Sequence, residues 1–287
     1  MPIDAATFRK TLIYTATASA AQIAQDLDEL AEIDKQSESK ASLATIVLVI
    51  GVIALFASFF LLGINPTLGG ILLVGSSVAV IVAGIFLARF SRLDIQNYRY
   101  EFIKPLLSLV SHDSQDNAAF NINLVFSSPT AENKQINSGN HPYRRGWKVQ
   151  LFQDQWCKFE GELLDGNRFQ LTLSELNRIA SGRNPRGKYK SKTKLKGSEI
   201  ILKLSFSPRQ YGAIKVLREE AQGAIQLPPG VEMKGLKMTD KAILLKVRVP
   251  SDSDAKSQEA MYKIITMMFL SLYQIMNLAK MLTKKNA

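Results

Sequence analysis

Two stretches of the chain have no polar face. Residues 41–62 read ASLATIVLVIGVIALFASFFLL and residues 68–88 read LGGILLVGSSVAVIVAGIFLA. They are 22 and 21 residues long, and no charged side chain occurs from 41 to 88. About 20 apolar residues cross the hydrocarbon core of a bilayer as a helix. Soluble helices of that length normally keep a polar side. Between the stretches, Gly63-Ile64-Asn65-Pro66-Thr67 carries turn signals, since proline donates no backbone hydrogen bond and Asn-Pro favours reversal. The pattern predicts a two-helix transmembrane hairpin, in which each helix satisfies its own backbone. A signal peptide is a poor match, because the apolar run starts at residue 41, is too long, and is followed by a second.

On either side the pattern changes. Residues 4–36 contain no Pro or Gly and are rich in alanine, with Ile23, Leu27, Leu30 and Ile33 at helical spacing. They predict one amphipathic helix capped by Asp4, its remaining surface acidic. The second apolar stretch predicts a helix that runs on to about Val110, with Tyr98, Phe102 and Leu106 four apart and a kink at Pro105.

Period-2 alternation then takes over. Strands are predicted at 120–126, 147–152, 156–164 and 168–173, the last two joined by a hairpin turn at Asp165-Gly166-Asn167. Residues 127–146 read as a loop, and Ser174 as the cap of a short helix to about Ala180. Gly197 opens a strand through Phe206, residues 209–221 read as helical, and 231–238 with 241–249 as a second hairpin. A methionine-rich helix closes the pattern at 254–283. Its 16 uncharged residues between Lys263 and Lys280 are few for a third span, so it is expected to pack on the sheet. The fold class is therefore a two-helix transmembrane hairpin plus a cytosolic α+β domain. That domain has about seven strands, mainly antiparallel hairpins, and a long C-terminal helix. The expected divisions are an amphipathic N-terminal helix (1–40), the hairpin (41–90, spans 41–62 and 68–88) and the α+β domain (91–287).

Charge adds an orientation. The 287 residues include 36 Lys and Arg against 25 Asp and Glu, a net charge of +11. The 63–67 loop has no basic residue, whereas Lys35, Lys40, Arg89, Arg92, Arg99 and Lys104 flank the two stretches. The positive-inside rule predicts an integral membrane protein with both termini cytoplasmic and the 63–67 loop on the opposite side. The lone Cys157 forms no intrachain disulfide and suits a reducing compartment. Neither stretch holds an ionisable residue, which argues against a transport pathway through these helices. Gly75, Ala79 and Ala83, four apart, allow close helix packing within the hairpin or against a partner.

The most distinctive local pattern is Arg183–Lys196, RNPRGKYKSKTKLK, with seven basic residues of 14 and no acidic one. As a strand it would put Lys188, Lys190, Lys192, Lys194 and Lys196 on one face, with Arg183 and Arg186 beside them. Anionic lipid headgroups are the nearest counter-surface for a tethered domain, each lysine contributing about 1 kcal/mol. Lysines on an edge strand also block aggregation. Nucleic acid is disfavoured, because Tyr189 is the one interleaved aromatic and no binding motif accompanies the charge.

Catalytic chemistry does not stand out. The histidines are His112 and His141, and no phosphate-loop, dinucleotide, nucleophile-elbow or zinc-protease motif occurs. His112, Asp113 and Asp116 fit solvated capping better than a metal, and Cys157 fits a packed core better than a nucleophile served by His141. No cofactor, metal or catalytic residue is expected. The expected function is a non-enzymatic membrane-anchored binding, scaffold or assembly protein whose cytosolic domain engages a protein partner and anionic lipid, with a protein partner or a homo-oligomer expected beside the bilayer lipid. The alternatives are an accessory subunit of a transporter or channel, and a membrane-bound hydrolase or transferase without a motif.

Overall fold

A computed structural model describes residues 5–91, 93, 95–251 and 257–285. The chain divides into two units, Met1–Lys10 with Gln25–Tyr100, and Thr11–Ala24 with Glu101–Ala287.

The single helix expected over 4–36 is interrupted. Helix α1 (Ala5–Thr11) is followed by strand β1 (Ile13–Ala18), and helix α2 starts at Ala20. Ile13, Tyr14, Thr15 and Thr17 are β-branched or aromatic, and β1 finds an antiparallel partner in strand β2 (Phe120–Val125). That pairing outweighs the helix preference of the neighbouring alanines. Ser19 then caps α2. Its carbonyl accepts from the Ile23 N–H at 3.0 Å and its Oγ from the Gln22 N–H at 3.4 Å.

No proline follows until Pro66, so α2 runs 45 residues, Ala20–Ile64, joining the amphipathic segment to the first apolar stretch. The reversal uses one residue outside helix. Asn65 donates to the Leu61 carbonyl at 2.7 Å and its Oδ1 accepts from the Leu68 N–H at 3.2 Å. Pro66 opens helix α3 (Pro66–Ser91) at the position where a missing N–H costs nothing.

Small residues line the interior of this pair at seven-residue spacing: Ala44, Gly51 and Ser58 on α2, Gly69, Ser76 and Ala83 on α3, all buried. A Cβ on Gly51 would stand 2.9 Å from Val80 Cγ2, and one on Gly69 2.5 Å from the Leu62 nitrogen. The serines return their hydroxyl protons to their own helices, Ser58 to the Leu55 carbonyl at 2.6 Å and Ser76 to Leu73 at 3.2 Å. Of the stripe noted in the sequence, Ala83 is buried, Ala79 half-buried and Gly75 exposed.

Helix α3 does not continue to Val110 as expected. It ends at Ser91, and a separate helix α4 (Asn97–His112) contains Pro105. Asp34, itself 1% exposed, organises the start of α4: it accepts from the Ile95 N–H and the Tyr100 hydroxyl, each at 3.1 Å.

The second unit is built on eight antiparallel strands. The order is β1-β2-β4-β5-β6-β8-β7, with β3 also on β4. The strands are β3 (Gln135–Asn140), β4 (Trp147–Glu162), β5 (Arg168–Arg183), β6 (Tyr189–Ser205), β7 (Glu232–Met238) and β8 (Ala242–Pro250). The expected helix from Ser174 is strand, part of β5, and the lysine-rich run and the strand expected after Gly197 are one strand, β6. Both follow from pairing: residues 174–183 lie between β4 and β6 and satisfy their backbone on both sides. The expected 127–146 loop contains a 3-10 turn (Glu132–Lys134) and β3. Residues 209–221 split into a 3-10 turn (Gly212–Lys215) and helix α5 (Arg218–Ala224).

One face of the sheet is continuously apolar. Leu124, Cys157, Leu173, Ile200 and Val247 stand in register across five strands, as do Ile122, Phe159, Leu171, Leu202 and Leu245. All ten are at most 1% exposed. Helix α6 (Gln258–Lys285) contributes a buried side of Ile264, Ile265, Met268, Leu272, Ile275, Met276 and Ala279, and Phe269 meets Phe169 edge-on at 5.9 Å. The first residues of the expected 254–283 helix lie outside the described residues. By length and composition α2, α3 and α6 are each long and apolar enough to cross a membrane, three rather than the two read from the sequence.

Candidate functional site: a basic β-arm

Strands β4, β5 and β6 are 16, 16 and 17 residues long, and they do two jobs. In one half they are central strands. There β2 borders β4 at residues 157–160, and β8 borders β6 at 197–205. In the other half they form an arm with β3, in which residues 189–195 of β6 pair with β5 on one side and with no described strand on the other. Eight strand residues from Leu176 to Arg183 give it a length of about 25 Å.

Irregularities mark the junction. Register shifts between Gln155 and Cys157 on β4, so Trp156 is an extra residue and both Trp156 and Cys157 are buried. It shifts again where Leu176 faces Gly197 but Asn177 faces Leu195, which leaves Lys196 as the extra residue on β6. Gly197 has φ +141°, and a Cβ there would collide with the Val249 carbonyl oxygen. Bulges of this kind bend and twist a strand. The glycine is therefore required where the arm leaves the body of the sheet.

The register sorts the lysines. Lys190, Lys192 and Lys194 oppose Gly182, Ala180 and Arg178, which in turn oppose Trp147, Val149 and Leu151. These residues share one face, with the lysines ~7 Å apart along the strand. Lys188 lies in the turn before β6, and Lys196 in the bulge, so these two leave the alternating row. Arg183 ends β5 and Arg186 sits in the tight turn Asn184–Lys188, where Gly187 has φ +77°.

Folding brings in residues that the linear run does not contain. Arg144, Arg145 and Lys148 precede or open β4, and Arg178 lies on β5. Counted over the arm, residues 135–153 and 176–198 hold 11 basic side chains and no acidic one. That equals the net charge of the whole chain, +11. The signal was present in the sequence as a lack of acid across 135–153 and 176–198, but it becomes one patch only through the β4–β5–β6 pairing.

The arm has a small core at its tip. A Cβ on Gly182 would stand 2.6 Å from Trp147 Cγ, so the glycine makes room for the indole. Trp147 Nε1 donates to the Arg183 carbonyl at 3.1 Å, and the Arg144 guanidinium lies 4.8 Å from the ring centroid. His141 donates its N–H to the Trp147 carbonyl at 2.8 Å, and its Nδ1 accepts from the Tyr143 N–H at 3.1 Å. Local burial, then Arg178 and Arg144, hold its imidazole below the ordinary value of 6.5.

Geometry removes the Cys157–His141 pair. His141 is bonded to Trp147, and Trp147 stands ten residues before Cys157 on the same extended strand, about 30 Å away. Cys157 is 1% exposed within the apolar face. Among the described residues no three or more His, Cys, Asp or Glu side chains gather as a metal-binding group. A cavity of about 320 Å³ lies between α4, the β4–β5 turn and α6, lined mainly by Leu109, Val110, Leu163, Leu164, Phe269 and Leu270. Asp165 at its rim accepts both the Asn167 N–H at 3.0 Å and the Asn167 side-chain amide, which is a turn-stabilising role.

No protein-family model, curated protein or solved structure matches the chain.

Proposed function

We propose that the chain is a membrane-anchored binding or scaffold protein without catalytic activity. The apolar part of α2 and all of α3 would cross the bilayer as a hairpin. The sheet domain would lie in the cytoplasm, with the 63–67 loop on the other side. The basic arm would engage anionic lipid headgroups and so orient the sheet domain towards a protein partner.

One observation carries the hairpin reading. Strand β1 precedes α2, β2 follows α3, and the two are hydrogen-bonded neighbours over six residue pairs. Strands in one sheet share one side of a membrane, so an even number of crossings must separate them. Two crossings, α2 and α3, meet that condition, and it holds regardless of charge bias. Helix α6 contributes its apolar side to the sheet domain, which argues against its use as a third span.

The test is side-specific labelling in intact membranes with a membrane-impermeant thiol reagent. Ile64→Cys should react from one side, and Thr17→Cys and Thr239→Cys from the other. Reaction of Thr17→Cys and Ile64→Cys from the same side would overturn the topology. The full chain must be used, because a fragment starting after α3 lacks β1.

A second reading rests on α3. Gly75 faces out of the helix pair, and a Cβ there meets nothing within 4 Å. On that reading the chain is an accessory subunit that docks on a transporter or channel by this face, and Gly75→Leu with Ala79→Leu would release the partner during purification.

A further inference from the structure

We infer that the arm meets an anionic bilayer tip-first, with Tyr143 and Tyr189 at headgroup depth and arginines of both turns on the lipid phosphates. The inference rests on the reading of the arm as an anionic-surface binder and adds the orientation and the residues that touch lipid.

Two chain reversals share one end of the arm. Asn140 pairs with Lys148, Trp147 with Gly182, and Arg183 with Tyr189, so the 141–147 and 184–188 turns project together. The first presents Tyr143, 92% exposed, with Arg144 and Arg145, and the second presents Arg186 beside Tyr189, 68% exposed. Tyrosine rings are amphipathic and concentrate at headgroup level, where the ring meets the upper acyl region and the hydroxyl stays wet. Arginine forks bind phosphate oxygens bidentately. No carboxylate in the arm opposes approach to an anionic surface.

The tip is also preorganised. Trp147, clasped by Gly182, Arg144 and the Arg183 carbonyl, ties the two turns together. Little ordering entropy then remains to be lost on contact.

The same geometry disfavours nucleic acid. Stacking needs open aromatic faces along the strands. The lysine face offers Gly182 and Ala180 between its charges, and its one aromatic, Trp147, is 8% exposed. The exposed rings stand at the end of the arm instead.

The experiment uses the full chain reconstituted into vesicles of phosphatidylcholine alone or mixed with phosphatidylglycerol. An environment-sensitive fluorophore is attached at Pro142→Cys or Pro185→Cys in the turns, or at Ala180→Cys on the lysine face. Cys157, 1% exposed, stays in place with an unsubstituted labelling control. Anionic lipid should shift the emission of both turn probes to shorter wavelength and leave Ala180→Cys unchanged. Raising salt from about 0.1 M to about 1 M, which shortens the screening length from about 10 Å to about 3 Å, should reverse the shift. Arg144→Gln and Arg145→Gln should each weaken the lipid response about five-fold. Tyr143→Ser with Tyr189→Ser should abolish the shift.

A shift at Ala180→Cys without one in the turns would mean the arm lies flat, which overturns the tip-first inference and leaves lipid binding standing. No response at any position would overturn both. A shift produced by a single-stranded RNA oligonucleotide in neutral vesicles, with none from anionic lipid, would also overturn both and assign the arm to nucleic acid.

Discussion

Lys134 and Asp154 meet 2.7 Å apart, with side-chain exposures of 10% and 0%. Lys134 also donates to the Ser127 carbonyl at 3.1 Å, so one ammonium ties the 127–134 segment to the base of the arm. Removing one partner of such a pair weakens the compensation of the buried charge that stays behind. Lys134→Met should therefore cost about 3–5 kcal/mol in denaturant unfolding, and Lys134→Met with Asp154→Leu should recover most of it. His141 gives a pH test. Its folded-state value lies below the ordinary 6.5, so the unfolded chain takes up the proton first as pH falls. The contribution of neutral His141 to stability is present above pH 6.5 and is lost on acidification through that value towards the folded-state midpoint. An NMR titration should give a midpoint under 6.5; one at or above it would remove the effect. Neither role was legible in the sequence, because the partners of Lys134 and His141 are set by strand register.

Among the elements, the α2–α3 pair and the junction of the arm each depend on glycine for a stated reason. Gly51 and Gly69 stand where the two helices approach too closely for a side chain. Gly51→Leu should destabilise the pair by about 1–3 kcal/mol, read as a lower thermal midpoint in detergent, while Gly75→Leu, which faces outward, should leave it unchanged. Equal effects would contradict the heptad of small residues at 44, 51, 58 and 69, 76, 83. At the junction, Gly197→Val meets both a positive φ and the Val249 carbonyl oxygen. It should disrupt the β6–β8 ladder and expose the arm to limited proteolysis. The apolar stretches, the reversal near Pro66 and both hairpin turns were readable in the chain, since each rests on local composition. Strand β1 and the second half of β5 were not. Their residues carry mixed preferences, and a partner about 100 residues away decided β1.

For the whole molecule, the charge distribution is the feature with most consequence. A net +11 spread evenly would be weak everywhere, but the acid-free arm concentrates 11 basic side chains on two turns and three strands. In reconstituted vesicles the anionic-lipid response of the turn probes should fall steeply with salt, and the Lys190→Gln, Lys192→Gln, Lys194→Gln triple variant, whose charges stand back from the tip, should weaken it by less than the roughly 100-fold expected of three tip arginines. A response that ignores both salt and these lysines would remove the electrostatic role of the arm. The sequence located seven of the basic residues, Arg183–Lys196, and missed Arg144, Arg145, Lys148 and Arg178, which lie outside that run.

By itself the sequence determined what depends on neighbours along the chain. Those are the two charge-free stretches and their tight reversal, the sheet-rich remainder closed by a methionine-rich helix, and the density of lysine in one run. Only the tertiary structure decided what depends on pairing across distance. It made the amphipathic segment and the first apolar stretch one helix, and added β1 to a sheet whose other strands follow α3. It also carried three long strands past the body of the sheet as an arm, placed two turns together at its end, and added four further basic residues to it. The reason is physical. Hydropathy and turn preference act over a few residues, whereas strand register is chosen by the backbone and apolar face of a partner strand.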